Sequence, residues 1–311
     1  PVNSTENPCI SDSLYAQIER QIAQNRKLLN LSSTAPLLSN LTPLEWPLRT
    51  ANGLNDCGYY LISAHVDLNT ASGSVQDWNC GSKTYDGHRG NDIVPWPFIW
   101  DKMDHNQVEV IAAASGKIIA KTDTAFDRVC KPNGKETNNY ISIQHADGSV
   151  ALYVHIKKGS LTTKKIGETV NVGEYLGTIG SAGQSTGAHL HFEIRADGTF
   201  ANYIDPFAGS CNKGITQSWW VNQKPYKEPD LLKLSIHSKW PYMGVCPNTT
   251  DTLYEIDTII AKSGASVVFY ACSKDVTTGN TWNFKIVDSK NKVVDSWDYT
   301  STSTRSNSTL G

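Results

Sequence analysis

The sequence predicts a mainly β protein built on antiparallel sheets, with a short N-terminal helical segment and a C-terminal β-sandwich. Three observations carry that prediction. Between Trp46 and about Ser210 the chain runs in short segments that alternate apolar and polar residues, broken by Gly and Asn turns. Helical spacing is convincing in one place, residues 11–31. Beyond residue 211 a second set of alternating segments follows a shift in composition. At 311 residues the chain is long enough for two domains, each with its own core. The predicted division is 1–44 for the helical segment and linker, 45–210 for the main domain and 211–311 for the sandwich.

In "SDSLYAQIERQIAQNRKLLNL" the residues Leu14, Ile18, Ile22, Leu28 and Leu29 recur at roughly helical spacing, and Ser11 or Asp12 can cap the first turn. "SSTAPLLSNLTPLEWP" reads as a linker. "YYLISAHVDL", "GKIIAKTD", "YISIQHADG", "VALYVHI", "YLGTIG" and "AHLHFEI" read as strands, with hairpin-type turns at "PNGK" (132–135) and "ADGS" (146–149). In the C-terminal part "LLKLSIH", "TLYEIDTII", "ASVVFYAC", "WNFKIVDSK" and "KVVDSWDY" read as strands, and the final "STSTRSNSTLG" shows no further one.

Composition narrows the function. There are 28 Lys plus Arg against 30 Asp plus Glu, with no basic run, so nothing electrostatic points to nucleic acid or an acidic membrane surface. No apolar stretch approaches the ~18 residues of a membrane span. The opening "PVNSTENPC" reads as a mature or trimmed form. Seven scattered cysteines with no CxxC, nine tryptophans and only two methionines suit a secreted protein with a few disulfides. Two pairings are expected, Cys246 with Cys272 and Cys57 with Cys80. The odd count leaves one thiol free or paired outside the chain.

Five residues carry the chemistry. "DGHRGNDI" sets His88 and Asp92 in a Gly- and Asn-rich loop, where glycines let an imidazole and a carboxylate converge on a metal. In "LYVHI", Tyr153 and His155 alternate onto one strand face. In "GAHLHFEIRADG" the alternation puts His189 and His191 on one face, with Leu190 and Phe192 turned into a core. A catalytic zinc needs three protein ligands and an open position, and further histidines can then move protons.

At "YDGHRGNDI", "VIAAASGKI", "IQHADGSVALYVHI" and "IGETVNVGEYLGTIGSAGQSTGAHLHFEI" the chain resembles the lysostaphin/LytM-type zinc metallopeptidases, peptidase family M23, including LasA-like secreted members. The resemblance runs from "EWPL" at 45–48 to "DPF" at 205–207, about half of the chain. It implies an antiparallel M23-type catalytic domain binding one zinc through His88, Asp92 and His191. His155 and His189 would flank the attacking water, the choice of general base between them being open. It further implies cleavage of peptidoglycan cross-bridges or, as the alternative, of Gly-rich extracellular protein such as elastin. The expected protein is a secreted monomer. A reading of another class is a wall- or polysaccharide-binding module on an inactive scaffold.

Two competing features have their own readings. "GQSTG" at 183–187 matches the GxSxG of serine hydrolases, but that motif needs a helix after the turn and a strand follows here. Trp96, Phe98 and Trp100 either wall the substrate groove or pack against the domain edge. His65, His105, His145 and His237 read as structural or surface residues.

Overall fold

In the computed structural model, which describes residues 10–32, 42–244, 250–256 and 266–310, Ser11 caps the first element. Its side chain accepts the Leu14 N–H at 3.3 Å and starts helix α1, Asp12–Leu28. Asp12 in the first turn and Arg26 and Lys27 in the last complement the helix dipole. Leu14, Ile18 and Ile22 are buried as their spacing predicts, and Tyr15 and Arg26 complete the stripe. Leu28 does not join it and is 71% exposed, because the final turn rotates it off the packed face.

Two compact units make up the chain, Pro1–Asn55, Ile62–Lys224 and Tyr242–Thr252 in the first and Asp56–Leu61, Pro225–Pro241 and Leu253–Gly311 in the second. The first holds β1 (Leu48–Thr50), β3 (Asn91–Val94), helix α2 (Ile99–Asp104), β4 (Val108–Ile111) and β5 (Gly116–Thr122). It continues with β6 (Tyr140–Gln144), β7 (Val150–Val154), β8 (Thr169–Val170), β9 (Tyr175–Thr178), β10 (Leu190–Arg195) and β11 (Tyr203–Ile204). With β2 (Leu61–Ala64), these form an eight-stranded sheet in the order β2-β3-β10-β7-β6-β5-β8, β11 pairing with β10. A three-stranded sheet, β1-β4-β9, accompanies it. The registered pairs of both sheets are antiparallel.

Both faces of β7 and β10 are buried. On one, α1 packs Ile18 and Ile22 against Ile119, Tyr140, Leu152 and Val154. On the other, Tyr153 meets Phe192, which meets Trp220, which meets Phe207, at centroid distances of 5.1, 5.5 and 5.5 Å. "ADGS" closes the β6–β7 hairpin as expected, with Gly148 at φ +93°. "PNGK" lies instead within the long β5–β6 loop, away from any strand end.

The second unit contains β12 (Asp230–His237), β13 (Val268–Val276), β14 (Thr281–Val287), β15 (Val293–Thr300) and β16 (Arg305–Leu310). Two small sheets result, β12-β13-β16 and β14-β15. The last strand corrects the sequence reading. The Ser- and Thr-rich end has little apolar alternation of its own and is ordered by pairing along β13. Of "TLYEIDTII" the described part, through Ile256, makes isolated bridges at Thr252 and Glu255 rather than a strand.

Cys80 pairs with Cys211, Cα to Cα 5.1 Å, which overturns the expected Cys57–Cys80 link. Proximity in sequence misled here, since Cys57 is exposed and free. Cys130 is also disulfide-bonded. Cys246, and so its expected bond to Cys272, lies outside the described residues. The Cys80–Cys211 bridge closes 131 residues and stabilises the fold by about 4–5 kcal/mol in the chain-entropy account.

Asp205, after β11, is buried, its carboxylate accepting the Phe207 N–H at 3.0 Å. Burial, reinforced by Asp77, pushes this carboxyl up to about 8. Below about pH 4 it is protonated in both folded and unfolded chains. Above that the unfolded chain ionises first, so stability falls as pH rises until the folded carboxyl ionises too. Urea unfolding between about pH 5 and 9 should show a loss of a few kcal/mol. Asp205→Asn should flatten that profile; an unchanged slope would locate the dependence elsewhere.

Candidate metal centre

Asp92 is the second residue of β3 and stands directly opposite His191 of β10 in the strand register. Two of the three predicted donors are therefore fixed by backbone pairing. The third, His88, comes from the loop entering β3. Gly87 turns that loop at φ +75°, and Gly90 lets it approach β10. A Cβ at Gly90 would lie 2.6 Å from the His191 ring and 2.8 Å from the Phe192 carbonyl oxygen. One donor atom from each of His88, Asp92 and His191 lies within 4.8 Å of the others, and all three residues are buried. His191 Nδ1 is 2.9 Å from Asp92 Oδ1, and His88 Nε2 is 3.2 Å from both.

The far nitrogen of each ring fixes its tautomer. His88 Nδ1 lies 2.7 Å from the His65 carbonyl and His191 Nε2 3.4 Å from Glu193 Oε2. Both partners only accept, so with a cation at the centre each far nitrogen would carry the proton and the near one would turn its lone pair inward. Two lone pairs and a carboxylate at such distances repel each other unless a cation lies between them. This donor set, N, N and O in a buried tripod, suits zinc.

His189 shares the His191 face of β10. Its Nδ1 is 2.8 Å from the Gly187 carbonyl and its Nε2 3.7 Å from Asp92 Oδ1. His155 reaches the same place by another route. Strict alternation would put it with Tyr153 on the opposite face, as Val154 is the residue paired with His191. Instead His155, one past the end of β7, adopts φ +67°, and this left-handed step turns its ring back. The ring lies 4.4 Å from His189 and 6.1 Å from His191, centroid to centroid. The expectation that Tyr153 and His155 share a face is thus corrected. Tyr153 faces the core, its hydroxyl accepting the Ala113 N–H at 2.8 Å.

Several contributors were not singled out from the sequence. Tyr85 donates to Asp92 Oδ2 at 3.2 Å and stacks on His88 at 4.2 Å. Glu193, Arg195 and Tyr15 form a buried cluster behind His191. Arg195 Nε donates to Glu193 Oε1 at 2.7 Å, and the Tyr15 hydroxyl to Oε2 at 3.0 Å. Burial opposes ionisation of Glu193, yet Arg195 and His191 bring its carboxyl down to about 2. The continued alternation His189, His191, Glu193, Arg195 was the available signal.

A groove of about 560 Å³ opens beside Asp92 and His189, walled by Ser63, Ala64, Tyr85, Ile99, Gln184 and Gly187 among others. Trp96, Phe98 and Trp100 do not line it. Phe98 and Trp100 are core residues, and Ile99 between them takes the wall position. Ser185 is buried and hydrogen-bonds Ser181 and the Gly187 carbonyl, at 2.8 Å each, and strand β10 follows it. The strand–turn–helix of a serine nucleophile is therefore missing here. His65, His145 and His237 are buried structural residues, bonded to Asn91, the Ser115 carbonyl and Ser235 respectively. His105 is an exposed partner of Asp101.

A buried His–Asp–His tripod on an antiparallel sheet, with two more histidines beside it, is the apparatus of a metal-dependent hydrolase. Residues 100–206 match the model of "Peptidase family M23", a segment that contains His155, His189 and His191. The matched segment is about a third of the chain, and His88 and Asp92 lie just before it. Over 114 residues it is 27% identical to a metalloprotease of Haemophilus influenzae, covering 37% of this chain and 23% of that protein. It is 29% identical over 98 residues to the peptidoglycan DD-endopeptidase ShyC of Vibrio cholerae, covering 32% and 22%. Over 66 residues it is 41% identical to the DD-carboxypeptidase/endopeptidase Mpg of Neisseria meningitidis, covering 21% and 14%. The chain thus spans less than a quarter of the length of these curated relatives. Among solved structures, the catalytic domain of lysostaphin from Staphylococcus simulans aligns at 22% identity and a TM-score of 0.30, covering 48% of this chain and 89% of that one.

The close approach at Gly90 gives a direct test of the tripod's packing. Gly90→Ala should cost about 1–3 kcal/mol in urea unfolding, because backbone and a ligand ring must both shift. A neutral substitution would show that the loop has room the distances deny.

Proposed function

We propose that this chain is a secreted zinc endopeptidase acting on peptidoglycan peptides. Its zinc would be held by His88 Nε2, the Asp92 carboxylate and His191 Nδ1. The observation that carries the reading is the convergence of these three buried donors, with an outer acceptor behind each imidazole. Zinc supplies Lewis acidity to the scissile carbonyl and to the attacking water. We assign His189 as general base. Its Nδ1 proton is committed to the Gly187 carbonyl, which leaves Nε2 free of a proton near Asp92. We assign His155 to the developing oxyanion in its doubly protonated form, Nδ1–H donating to the Ala182 carbonyl and Nε2–H to the oxyanion, while His189 passes the proton it took from water to the leaving amine.

Substrate class rests on two supports. The relatives ShyC and Mpg are named for endopeptidase activity, ShyC on peptidoglycan. The groove wall contains no Lys or Arg and several small residues, Ser63, Ala64, Gly187 and Ala188, which suits uncharged, small residues beside the scissile bond. We therefore keep glycine at one or both flanks as the preferred cleavage context. Secretion is supported by the Cys80–Cys211 disulfide. Among the described residues no helix is long and apolar enough to cross a membrane. In this reading residues 45–210 do the chemistry and 211–311 are accessory, and helix α1 of the 1–44 segment packs on the catalytic sheet.

His88→Ala, Asp92→Ala and His191→Ala should each remove most of the zinc measured by elemental analysis; full occupancy in His191→Ala would refute the ligand set. His155→Ala and His189→Ala should keep zinc and lose roughly 10²-fold or more in activity. A metal-free His189→Ala protein would make it a ligand instead. Digests of pentaglycine, Gly-bridged and directly cross-linked peptidoglycan and soluble elastin, read by mass, test the substrate. Cleavage between bulky residues would overturn the small-residue groove. Activity on directly cross-linked material alone would overturn only the glycine preference.

A further inference from the structure

Helix α1 reaches the surroundings of the candidate metal centre through Tyr15. Tyr15 is 3% exposed, and its hydroxyl donates to Glu193 Oε2 at 3.0 Å. The same oxygen faces His191 Nε2 at 3.4 Å, while Arg195 holds Oε1 at 2.7 Å. The ring of Tyr15 stacks on Phe200 at 5.5 Å. It also lies under two guanidinium groups, Arg89 at 4.9 Å and Arg195 at 5.0 Å. Arg89 directly follows His88. One residue of the helix therefore braces the loop that brings in one imidazole and the carboxylate that orients the other.

We propose that Tyr15 is a positioning residue, and that α1 through it sets how tightly the His88–Asp92–His191 site holds its metal. The inference rests on the metal reading of that site. A carboxylate behind a ligating imidazole fixes the ring and raises its basicity, and loss of such partners typically costs 10–100-fold in metal affinity. Glu193 can do this only while its own orientation is fixed. Without the Tyr15 hydroxyl, Oε2 is held by the 3.4 Å contact alone, and the carboxylate can rotate about its Arg195 bond. In this reading the N-terminal helix is an integral support of the centre.

The test measures zinc affinity of the full chain by competition with a fluorescent chelator, together with the visible absorption of the cobalt-substituted protein. Tyr15→Phe, which keeps the ring packing, should bind zinc about 10–100-fold more weakly and shift the cobalt bands. Gln21→Ala removes another contact of the same helix, a half-buried hydrogen bond from the Tyr140 hydroxyl at 2.8 Å. It should lower thermal stability yet leave zinc affinity and the cobalt spectrum unchanged. Glu193→Gln should weaken zinc by a similar factor, and the double variant no further, because both act through one carboxylate. Unchanged affinity in Tyr15→Phe, equal loss in Gln21→Ala, or additive losses in the double variant would each overturn the role of Tyr15. Wild-type protein that takes up no zinc would refute the metal assignment itself.

Discussion

The pairing of Asp92 with His191 across β3 and β10 is the constraint on which the rest of the catalytic unit depends. Two polar groups opposite each other on buried strands are costly unless every remaining hydrogen-bonding valence is met. The surrounding architecture meets them. His88 and Tyr85 come in from the loop before β3, Glu193 and Arg195 from further along β10, and the His65 carbonyl from beyond. A one-residue slip of β10 would carry all four polar residues of its face into the aromatic layer of Phe192, Trp220 and Phe207. Register and site are the same specification.

That polar face is buried rather than solvated, which gives α1 its place. Arg26 is buried against the sheet, bonding Gln144 at 2.8 Å and the Gly148 carbonyl at 3.2 Å, while Ile18 and Ile22 pack on β7 and its neighbours. The helix covers the part of the β10 face that carries Glu193 and Arg195, and the open end keeps His189 at the groove. Excluding water behind His191 strengthens each charged contact there. The groove beside it stays open.

Backbone conformation supplies what alternation cannot. His155 reaches the site through a left-handed residue at a strand end, a conformation that costs of order 1–3 kcal/mol and is held by the packed surroundings. Gly90 removes a side chain where the loop meets the His191 ring. Cys80–Cys211 anchors the long loop that delivers His88. Each feature moves a side chain by a few ångströms, and the tripod depends on all of them.

The sequence by itself determined the class of fold, an amphipathic helix within 11–31, most strands and the five histidine and aspartate positions. Period-2 alternation and Gly-marked turns are local signals, and short motifs record the residue types that chemistry demands. Tertiary structure alone decided the disulfide partner of Cys80, which lies 131 residues away. It decided the strand at 305–310, whose polar residues are ordered only by their neighbour β13. It also decided which aromatic residues of the 96–100 loop turn inward, and that Tyr15 of the first helix reaches Glu193, 178 residues on. Such contacts depend on where distant segments meet, and no periodicity within a window of sequence encodes that.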